Sequence, residues 1–250
     1  MKLALLSDIH ANIQAFEACL AHAHEQGAQR YAILGDLVGY GADPVAVIER
    51  VQAMQAQGAL VLKGNHDAIA VRPPAEVRTV GDMTAQWTHA QLGTTQRIFL
   101  DQLPLTIEQP TFFLVHASAD SPKRWRYVYD ERAARASLDA IAAKPEVRYV
   151  FCGHVHQQTL YCGETDSSLM KFLPRAGVAV SLDGNRRWLA TIGSVGQPRD
   201  FNPQAMYALF DTDNLQLAFQ RVTYDHQAAA NAIRRAGLPV LFADRLLVGQ

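Results

Sequence analysis

The sequence predicts an α/β fold, and two observations support this prediction. Short apolar runs alternate with amphipathic helical segments through the first third of the chain, which is typical of parallel strands joined by right-handed helical crossovers. The last third is rich in short, hairpin-like strands. With 250 residues, 49% of them hydrophobic, and no repeat or linker, the chain is predicted to form a single domain over residues 1–250.

The first third contains five predicted elements. In the first helix, Ile13, Phe16 and Leu20 fall on one face. In the second helix, Asp43 is the predicted N-cap, and Pro44 suits the first turn. The five elements are a strand at 2–7, a helix at 12–27, a strand at 31–35, a helix at 43–58 and a strand at 59–64.

The middle of the chain changes character. Residues 71–103 are mostly helical and richer in polar residues, and we expect a helical insert there that runs over the strand ends. Beyond the insert, the predicted elements are a strand at 111–116, a helix at 130–144, a strand at 147–154, β-rich segments at 169–182, 186–193, 205–214 and 215–224, and a helix at 226–237.

Composition narrows the range of functions. The 23 Lys and Arg nearly balance the 24 Asp and Glu, so no net field attracts nucleic acid or a membrane. No window approaches the ~18 apolar residues that span a bilayer, and the N-terminal apolar run is too short for a signal peptide. Three cysteines without paired spacing suit a reducing compartment. We expect a cytoplasmic protein with a small substrate and no membrane or stable nucleic-acid partner; the oligomeric state stays open.

Polar side chains that can bind metals follow five of the predicted strands. Because ligands bind outside the carboxyl ends of strands in open α/β sheets, we expect these side chains to converge on one crevice. Any one of them could be a cap or a core group, but burying the whole set without partners would be costly. The segments are Ser7-Asp8-Ile9-His10, Gly35-Asp36, Gly64-Asn65-His66-Asp67, His116 and Gly153-His154-Val155-His156.

The donor types predict which ions these side chains bind. Carboxylate, imidazole and amide oxygen suit divalent first-row ions. A pair of ions roughly 3.5–4 Å apart that share a carboxylate would use the whole set. His154 and His156 are predicted to point the same way, as side chains two apart do in an extended segment.

Five motifs in this order, DIHAN, GDLVGYG, GNHD, VHAS and CGHVH, resemble the calcineurin-like metallophosphoesterase superfamily over the first two-thirds of the chain. The resemblance implies a four-layer α/β/β/α sandwich with two mixed sheets, the later hairpins forming most of the second sheet. The segments 193–200 and 236–249 resemble a bacterial branch described as phosphodiesterases or as similar to diadenosine tetraphosphatases. The chain departs from its relatives at 116–118, where they more often read His-Gly-Ser, and at 191–196.

The resemblance also implies roles for individual residues. His66 would act on the phosphate outside the coordination shell, and Asp67 would orient it. The expected cofactors are two divalent metal ions, with Mn foremost and Fe, Zn, Ni or Co able to use the same ligands. The implied ligands are Asp8, His10, Asp36 and His156 for the first ion, and Asp36, Asn65, His116 and His154 for the second, Asp36 being shared.

The expected activity is two-metal hydrolysis of phosphodiester or phosphoanhydride bonds in nucleotide-type substrates, either a diadenosine polyphosphate or a general phosphodiester. His66 would donate a proton to the leaving oxygen or hold the charge that develops there. A serine/threonine protein phosphatase shares the same metal core, but an insert over the site counts against the open groove it needs. A non-catalytic scaffold is a third alternative, opposed by the presence of His66 with every ligand position.

Two segments are candidates for substrate binding. The first is a basic and aromatic loop that could hold phosphates and stack a base, or be a surface loop with packed arginines. The second lies at 193–200, where backbone amides could form an anion-binding nest, or a tight turn that closes the second sheet. The candidate residues are Arg124, Trp125, Arg126 and Tyr127 in the first segment, and Ser194 and Arg199 in the second.

Overall fold

A computed structural model describes residues 1–164 and 168–250 of the chain. Within these residues, two six-stranded sheets are flanked by α-helices. The strands are β1 Lys2–Leu6, β2 Arg30–Ile33, β3 Leu60–Val61, β4 Thr106–Glu108, β5 Phe112–Val115, β6 Tyr149–Cys152, β7 Gln158–Gly163, β8 Met170–Phe172, β9 Ala179–Ser181, β10 Arg187–Ile192, β11 Ala205–Asp211 and β12 Gln216–Val222. The helices are α1 Ile13–Glu25, α2 Pro44–Ala56, α3 Asn65–Val71, α4 Val80–Gln91, α5 Thr94–Gln102, α6 Glu131–Asp139, α7 His226–Arg235 and α8 Val240–Val248.

Both sheets are mixed. The first sheet has the order β3-β2-β1-β11-β12-β9, in which β1, β2 and β3 run parallel and β11 pairs antiparallel with β1. The second has the order β4-β5-β6-β10-β7-β8, with β5, β6 and β10 parallel. The two mixed sheets confirm the fold class that the sequence predicted.

Apolar clusters between the sheets and beneath the helices hold the four layers together. On β1, Leu3 and Leu5 face the apolar cluster between the two sheets, whereas Ala4 and Leu6 face the cluster beneath the helices. Because side chains alternate along a strand, a strand buried on both faces reads as a continuous apolar run. Helices α1, α2, α7 and α8 cover the first sheet, and α6 packs on the second.

The later strands do not go where the sequence placed them. Strands β7, β8 and β10 join the second sheet, but β9, β11 and β12 join the first, so the prediction that they form most of the second sheet is wrong. The segment 169–182 breaks around Pro174 into two short strands, one at the edge of each sheet. Proline lacks the amide that a strand ladder needs, which accounts for the break.

Two helices, α4 and α5, fall within residues 71–103, and they pack against α3 and α2. The start of α4 is a capping box in which Thr79 Oγ1 accepts from the Asp82 amide and Asp82 Oδ2 accepts from the Thr79 amide. The predicted role of this region as an insert over the site stays a prediction. Across the described parts of the chain, none of the helices combines the length and apolarity needed to span a membrane.

Candidate metal centre

The predicted ligands meet where strands of both sheets end. Strands β1, β2 and β3 of the first sheet and β5 and β6 of the second carry them in the turns that follow. Left-handed backbone is costly for residues with a side chain, and such strain persists where the surrounding structure fixes it, often at functional sites. Five of the predicted ligands have φ between +50° and +66°: Asp8, His10, Asp36, His154 and His156.

The first cluster brings together Asp8, His10 and His156. His10 Nδ1 lies 3.2 Å from the carbonyl of Val38, and His156 Nδ1 lies 2.6 Å from that of Gln197. Because a carbonyl only accepts, each Nδ1 carries the proton and each Nε2 presents a lone pair. The two Nε2 atoms lie 3.1 Å apart, and Asp8 Oδ1 is 3.2 Å from His156 Nε2. A cation between these acceptors would turn their repulsion into attraction.

The second cluster is built in the same way. His116 Nδ1 lies 2.7 Å from the carbonyl of Leu34, so His116 Nε2 is left to face the centre. That nitrogen lies 3.3 Å from Asp36 Oδ2, 3.1 Å from Asn65 Oδ1 and 3.2 Å from His154 Nδ1. An oxygen or nitrogen acceptor from four separate turns therefore points at one spot.

Asp36 connects the two clusters. Its Oδ1 accepts a 2.8 Å hydrogen bond from the His66 amide, while its Oδ2 lies 3.3 Å from His116 Nε2 and 3.8 Å from His10 Nε2. Among the described residues, Asp36 Oδ2, Asp8 Oδ1 and His154 Nε2 are buried without a hydrogen-bond partner. Buried polar atoms are rarely left in this state. The donor set and its unpartnered atoms therefore fit two divalent cations that share Asp36.

Electrostatics keep most of these groups in the state that binds cations. Against the effect of burial, the His116 and His66 imidazoles hold the pKa of Asp36 well below its usual range. Burial and His156 lower the pKa of His10, and burial and His116 lower that of His154 to about 4. His116 is the exception: burial lowers its pKa, but Asp36 outweighs burial and raises it to about 9. A proton on His116 thus takes the place that a cation would fill.

The turn after β6 differs from its prediction. The segment is not extended, since His154 and His156 have φ of 66° and 63°. The two imidazoles consequently enter different clusters, His154 beside His116 and His156 beside His10. A Cβ at Gly153 would collide with Ser7 Oγ and the Asp8 carboxylate, which explains the glycine at the end of the strand.

Asp67 makes its hydrogen bonds to backbone amides. Its Oδ1 accepts from the amides of Leu37 and Val38 at 2.8 and 3.2 Å, and its Oδ2 accepts from the amide of Gly64 at 2.8 Å. The carboxylate is fully buried and occupied by backbone, so it does not hydrogen-bond the His66 imidazole. Asp67 instead ties the turn after β3 to the turn after β2.

The basic and aromatic loop lies partly on the metal centre. Tyr127 stacks on His154 with ring centroids 4.0 Å apart, and Trp125 meets His116 edge-on at 5.8 Å. Arg126 is exposed and pairs with Asp120 at 3.0 Å. The loop begins in a short 3₁₀ helix, Pro122–Arg124, whose last residue, Arg124, is exposed and lines a separate surface depression.

Ser194 does not form the anion nest that the sequence suggested. Its hydroxyl is fully buried, donates to the Asp8 carbonyl at 2.7 Å and accepts from the Gln197 amide at 2.8 Å. The amides of Val195 and Gly196 donate to carbonyls at the end of β1. The alternative of a tight turn describes this segment better, because its polar groups hold the Asp8 turn in place.

Arg199, from the same segment, does lie near the centre. Its guanidinium is 5.9 Å from the ring of Tyr40, and its amide donates to the His156 carbonyl at 3.2 Å. Tyr40 was missed by the sequence analysis, although it lies inside GDLVGYG between two glycines. The carbonyls that orient the ligand histidines were also missed, since backbone groups leave no trace in residue types; they belong to Leu34, Val38 and Gln197.

Comparisons with known proteins agree with this geometry. The family model for the calcineurin-like phosphoesterase superfamily domain matches residues 1–215. The crystal structure of a metallophosphoesterase from Sphaerobacter thermophilus is 30% identical, with a TM-score of 0.87 that covers 100% of this chain and 99% of the other.

Two archaeal proteins are also similar along the whole chain. An uncharacterized protein of Methanocaldococcus jannaschii is 29% identical over 254 residues, which cover 99% of this chain and 98% of that protein. A hypothetical protein of Pyrococcus horikoshii has a crystal structure with a TM-score of 0.79 at 21% identity, over 100% of this chain and 98% of the other. The latter likeness concerns the fold alone.

Proposed function

The chain belongs to the calcineurin-like phosphoesterase superfamily, and from that premise we propose a dinuclear-metal hydrolase of phosphodiester or phosphoanhydride bonds in nucleotide-type substrates. One observation carries the proposal: a single unpartnered oxygen, Asp36 Oδ2, faces His10 of one cluster and His116 of the other. A carboxylate placed between two clusters of metal-binding side chains is what a pair of cations requires.

The proposed ligands divide between the two ions as the clusters do. Two divalent ions held there would supply Lewis acidity to the phosphate and lower the pKa of an attacking water molecule. The mixture of carboxylate, imidazole and amide donors supports Mn²⁺ while allowing Fe, Zn, Ni or Co. One set is Asp8, His10, Asp36 and His156, and the other is Asp36, Asn65, His116 and His154.

His66 is the proposed proton donor to the leaving oxygen. Its backbone amide is anchored on Asp36 Oδ1, and a ring nitrogen lies within 4.8 Å of ligand atoms of His10 and Asp36. In the proposal this imidazole lies beside the centre and outside the ligand set. Arg199 supplies a positive charge near Tyr40. In the proposal its guanidinium binds a non-bridging oxygen of the phosphate.

A cavity of about 250 Å³ beside Tyr127 supports a substrate with a bulky polar substituent. The buried Ser118 hydroxyl in its lining has no partner among the described side chains. Two acidic and two basic residues balance each other there, which suits a neutral, hydrogen-bonding group such as a nucleoside more than a second phosphate. The residues concerned are Ser118, Asp120, Arg126, Tyr127, Asp130 and Arg132.

A cytoplasmic location is part of the proposal. The three cysteines are free and buried, as is common in a reducing compartment.

The activity is tested with metal-free protein and added Mn²⁺ on bis-p-nitrophenyl phosphate, diadenosine tetraphosphate and a phosphoserine peptide. We expect metal-dependent turnover of the first two and none of the peptide. Preference for the peptide would indicate a protein phosphatase instead. No metal-dependent turnover of any of them would overturn the hydrolase and favour a scaffold.

The substituent cavity is tested by filling it from the exposed face of α6. Ala136→Trp should lower kcat/KM for diadenosine tetraphosphate about tenfold relative to bis-p-nitrophenyl phosphate, since the small diester does not need the cavity. Ala140→Trp, on an exposed residue at the end of α6 that does not line the cavity, is the control and should leave the ratio unchanged. An equal fall on both substrates would contradict the nucleoside assignment.

A further inference from the structure

Tyr40 lies between the two kinds of functional histidine. Its ring centroid is 4.6 Å from that of His10, a proposed ligand, and 4.4 Å from that of His66, the proposed proton donor. Its φ is +64°, a conformation that is rare for a bulky residue. Strain of this kind persists where the surroundings fix the backbone, and it concentrates at functional sites.

The His66 imidazole is held by packing. In the part of the chain that the structure describes, its ring nitrogens make no hydrogen bond, and Asp67 is occupied by backbone amides. A Cβ at Gly39 would come within 2.7 Å of His66 Nδ1, so the ring rests directly on the backbone there. The imidazole therefore lies against the Tyr40 ring and the Gly39 backbone, with the His10 ring meeting it edge-on at 5.0 Å.

Tyr40 is itself supported from the far end of the chain. Phe242, in α8, stacks on it with centroids 4.8 Å apart at an interplanar angle of 27°. Phe242 is buried, and α8 packs on α7, which packs on α1. Helix α8 also lies beyond residue 215, where the match to the superfamily model ends.

We propose that Tyr40 is the positioning residue of His66, and that α8 holds Tyr40 in this role through Phe242. The inference rests on the proposed function, in which His66 protonates the leaving oxygen. Proton transfer needs the imidazole within hydrogen-bond reach of that oxygen, and a misplacement of about 1 Å can cost about 10²-fold in rate. The ring of Tyr40 does this by contact, so its hydroxyl is not required.

The test compares two leaving groups that differ in their need for a proton. A p-nitrophenolate leaves without protonation, whereas the alkoxide of an alkyl phosphodiester needs it. The two substrates are phosphodiesters that differ only in the leaving group, one alkyl and one nitrophenyl. We expect Tyr40→Leu to lower kcat about 10²-fold on the alkyl ester and only a few-fold on the nitrophenyl ester. His66→Ala should show the same dependence on the leaving group, and the double variant should lose little more than His66→Ala alone.

Three further variants isolate the contact. Tyr40→Phe keeps the ring and should restore kcat on the alkyl ester. Phe242→Ala should show the Tyr40→Leu pattern in a weaker form, because it removes the support and leaves the ring. Leu241→Ala, at an exposed neighbour on α8, is the matched control and should behave as wild type. Metal content, measured by elemental analysis, should stay at the wild-type level in Tyr40→Leu, although Tyr40 also touches His10.

Several results would overturn the inference. An equal loss by Tyr40→Leu on both esters, or a loss of bound metal, would indicate a structural role. A Tyr40→Phe variant as slow as Tyr40→Leu would assign the effect to the hydroxyl. If His66→Ala depends on the leaving group and Tyr40→Leu does not, only this inference fails. If wild type has no metal-dependent turnover, the proposed function fails and this inference with it.

Discussion

The backbone amide of His66 donates a 2.8 Å hydrogen bond to Oδ1 of Asp36. The proposed proton donor is thus anchored on the residue proposed to bridge the two cations. Because Oδ1 is occupied in this way, only Oδ2 faces the centre, and the same carboxylate fixes the start of α3. The position of the acid relative to the metals is consequently built into the turn after β3.

Asp36→Asn should abolish dinuclear metal binding. An amide has no negative charge to share between two cations, and its NH₂ group would face imidazole nitrogens already arranged for a positive ion. We expect loss of at least one metal per chain and a fall in kcat of about 10³-fold or more at saturating Mn²⁺. Elemental analysis and turnover measure this. Asp244→Asn, on the surface, is the control, and near-wild-type turnover of Asp36→Asn would refute the bridging role.

Metal binding should release a proton near neutral pH. In the metal-free protein burial lowers the pKa of His116, but Asp36 outweighs it and raises that pKa to about 9, so a cation must displace the proton. Apparent Mn²⁺ affinity should therefore rise with pH up to about 9. Calorimetry in buffers of different ionisation enthalpy measures the released protons. Binding without proton release at pH 7 to 8 would show that His116 is neutral before the metal arrives.

Gly153→Ala should damage both stability and metal binding. The added Cβ would collide with Ser7 Oγ and the Asp8 carboxylate, neither of which can move without disturbing β1 or the first cluster. We expect a loss of about 1–3 kcal/mol in the free energy of unfolding, together with weaker Mn²⁺ binding. Gly184→Ala, where a Cβ would meet only Leu215 Cδ1 at 4.0 Å, an ordinary van der Waals contact, is the control. Equal stability of the two variants would argue against the clash.

The positions at which the strands end could be predicted from the sequence, for a physical reason. A strand buried on both faces, such as β1, is a continuous apolar run, and the first polar residue, Ser7 or Asp8, marks where it leaves the core. The convergence of five such ends could be inferred because parallel strands point their carboxyl ends the same way. The residues do not reveal that these ends come from two different sheets. Strand pairing depends on contacts between residues far apart in sequence, such as Leu3 with Phe210.

The less successful site predictions share a different cause. Asp67 and Ser194 both carry groups suited to chemistry, but their partners are backbone amides and a carbonyl. Residue type shows what a side chain can donate or accept, and it does not show which backbone group lies opposite. Tyr40 was missed because its role comes from the contact of its ring with His66, which the motif alone does not reveal.

The start of α4 should weaken in acid. Hydrogen bonds from the Arg78 amide, the Thr79 hydroxyl and the Thr79 amide hold the pKa of the Asp82 carboxyl below its usual range. A carboxyl with a lowered folded pKa stabilises above the unfolded pKa, and this stabilisation is lost as pH falls through the folded value. Once exchange rates are corrected for their intrinsic pH dependence, we expect lower amide protection in α4 below about pH 4, and Trp87 fluorescence offers a second probe. Asp82→Asn should remove the pH dependence of the protection; if protection in wild type does not change with pH, the cap does not hold α4.

Asp67→Asn tests whether this residue supports the fold rather than the proton transfer. The carboxylate accepts from the amides of Leu37, Val38 and Gly64, and an asparagine offers only one oxygen, so its NH₂ group must face at least one N–H. Leaving a buried donor unpaired costs about 1–3 kcal/mol, and thermal or urea unfolding should show a loss of that size. Since both turns carry the centre, kcat should fall by a similar factor on nitrophenyl and alkyl esters. A fall confined to the alkyl ester would instead restore Asp67 as the residue that orients His66.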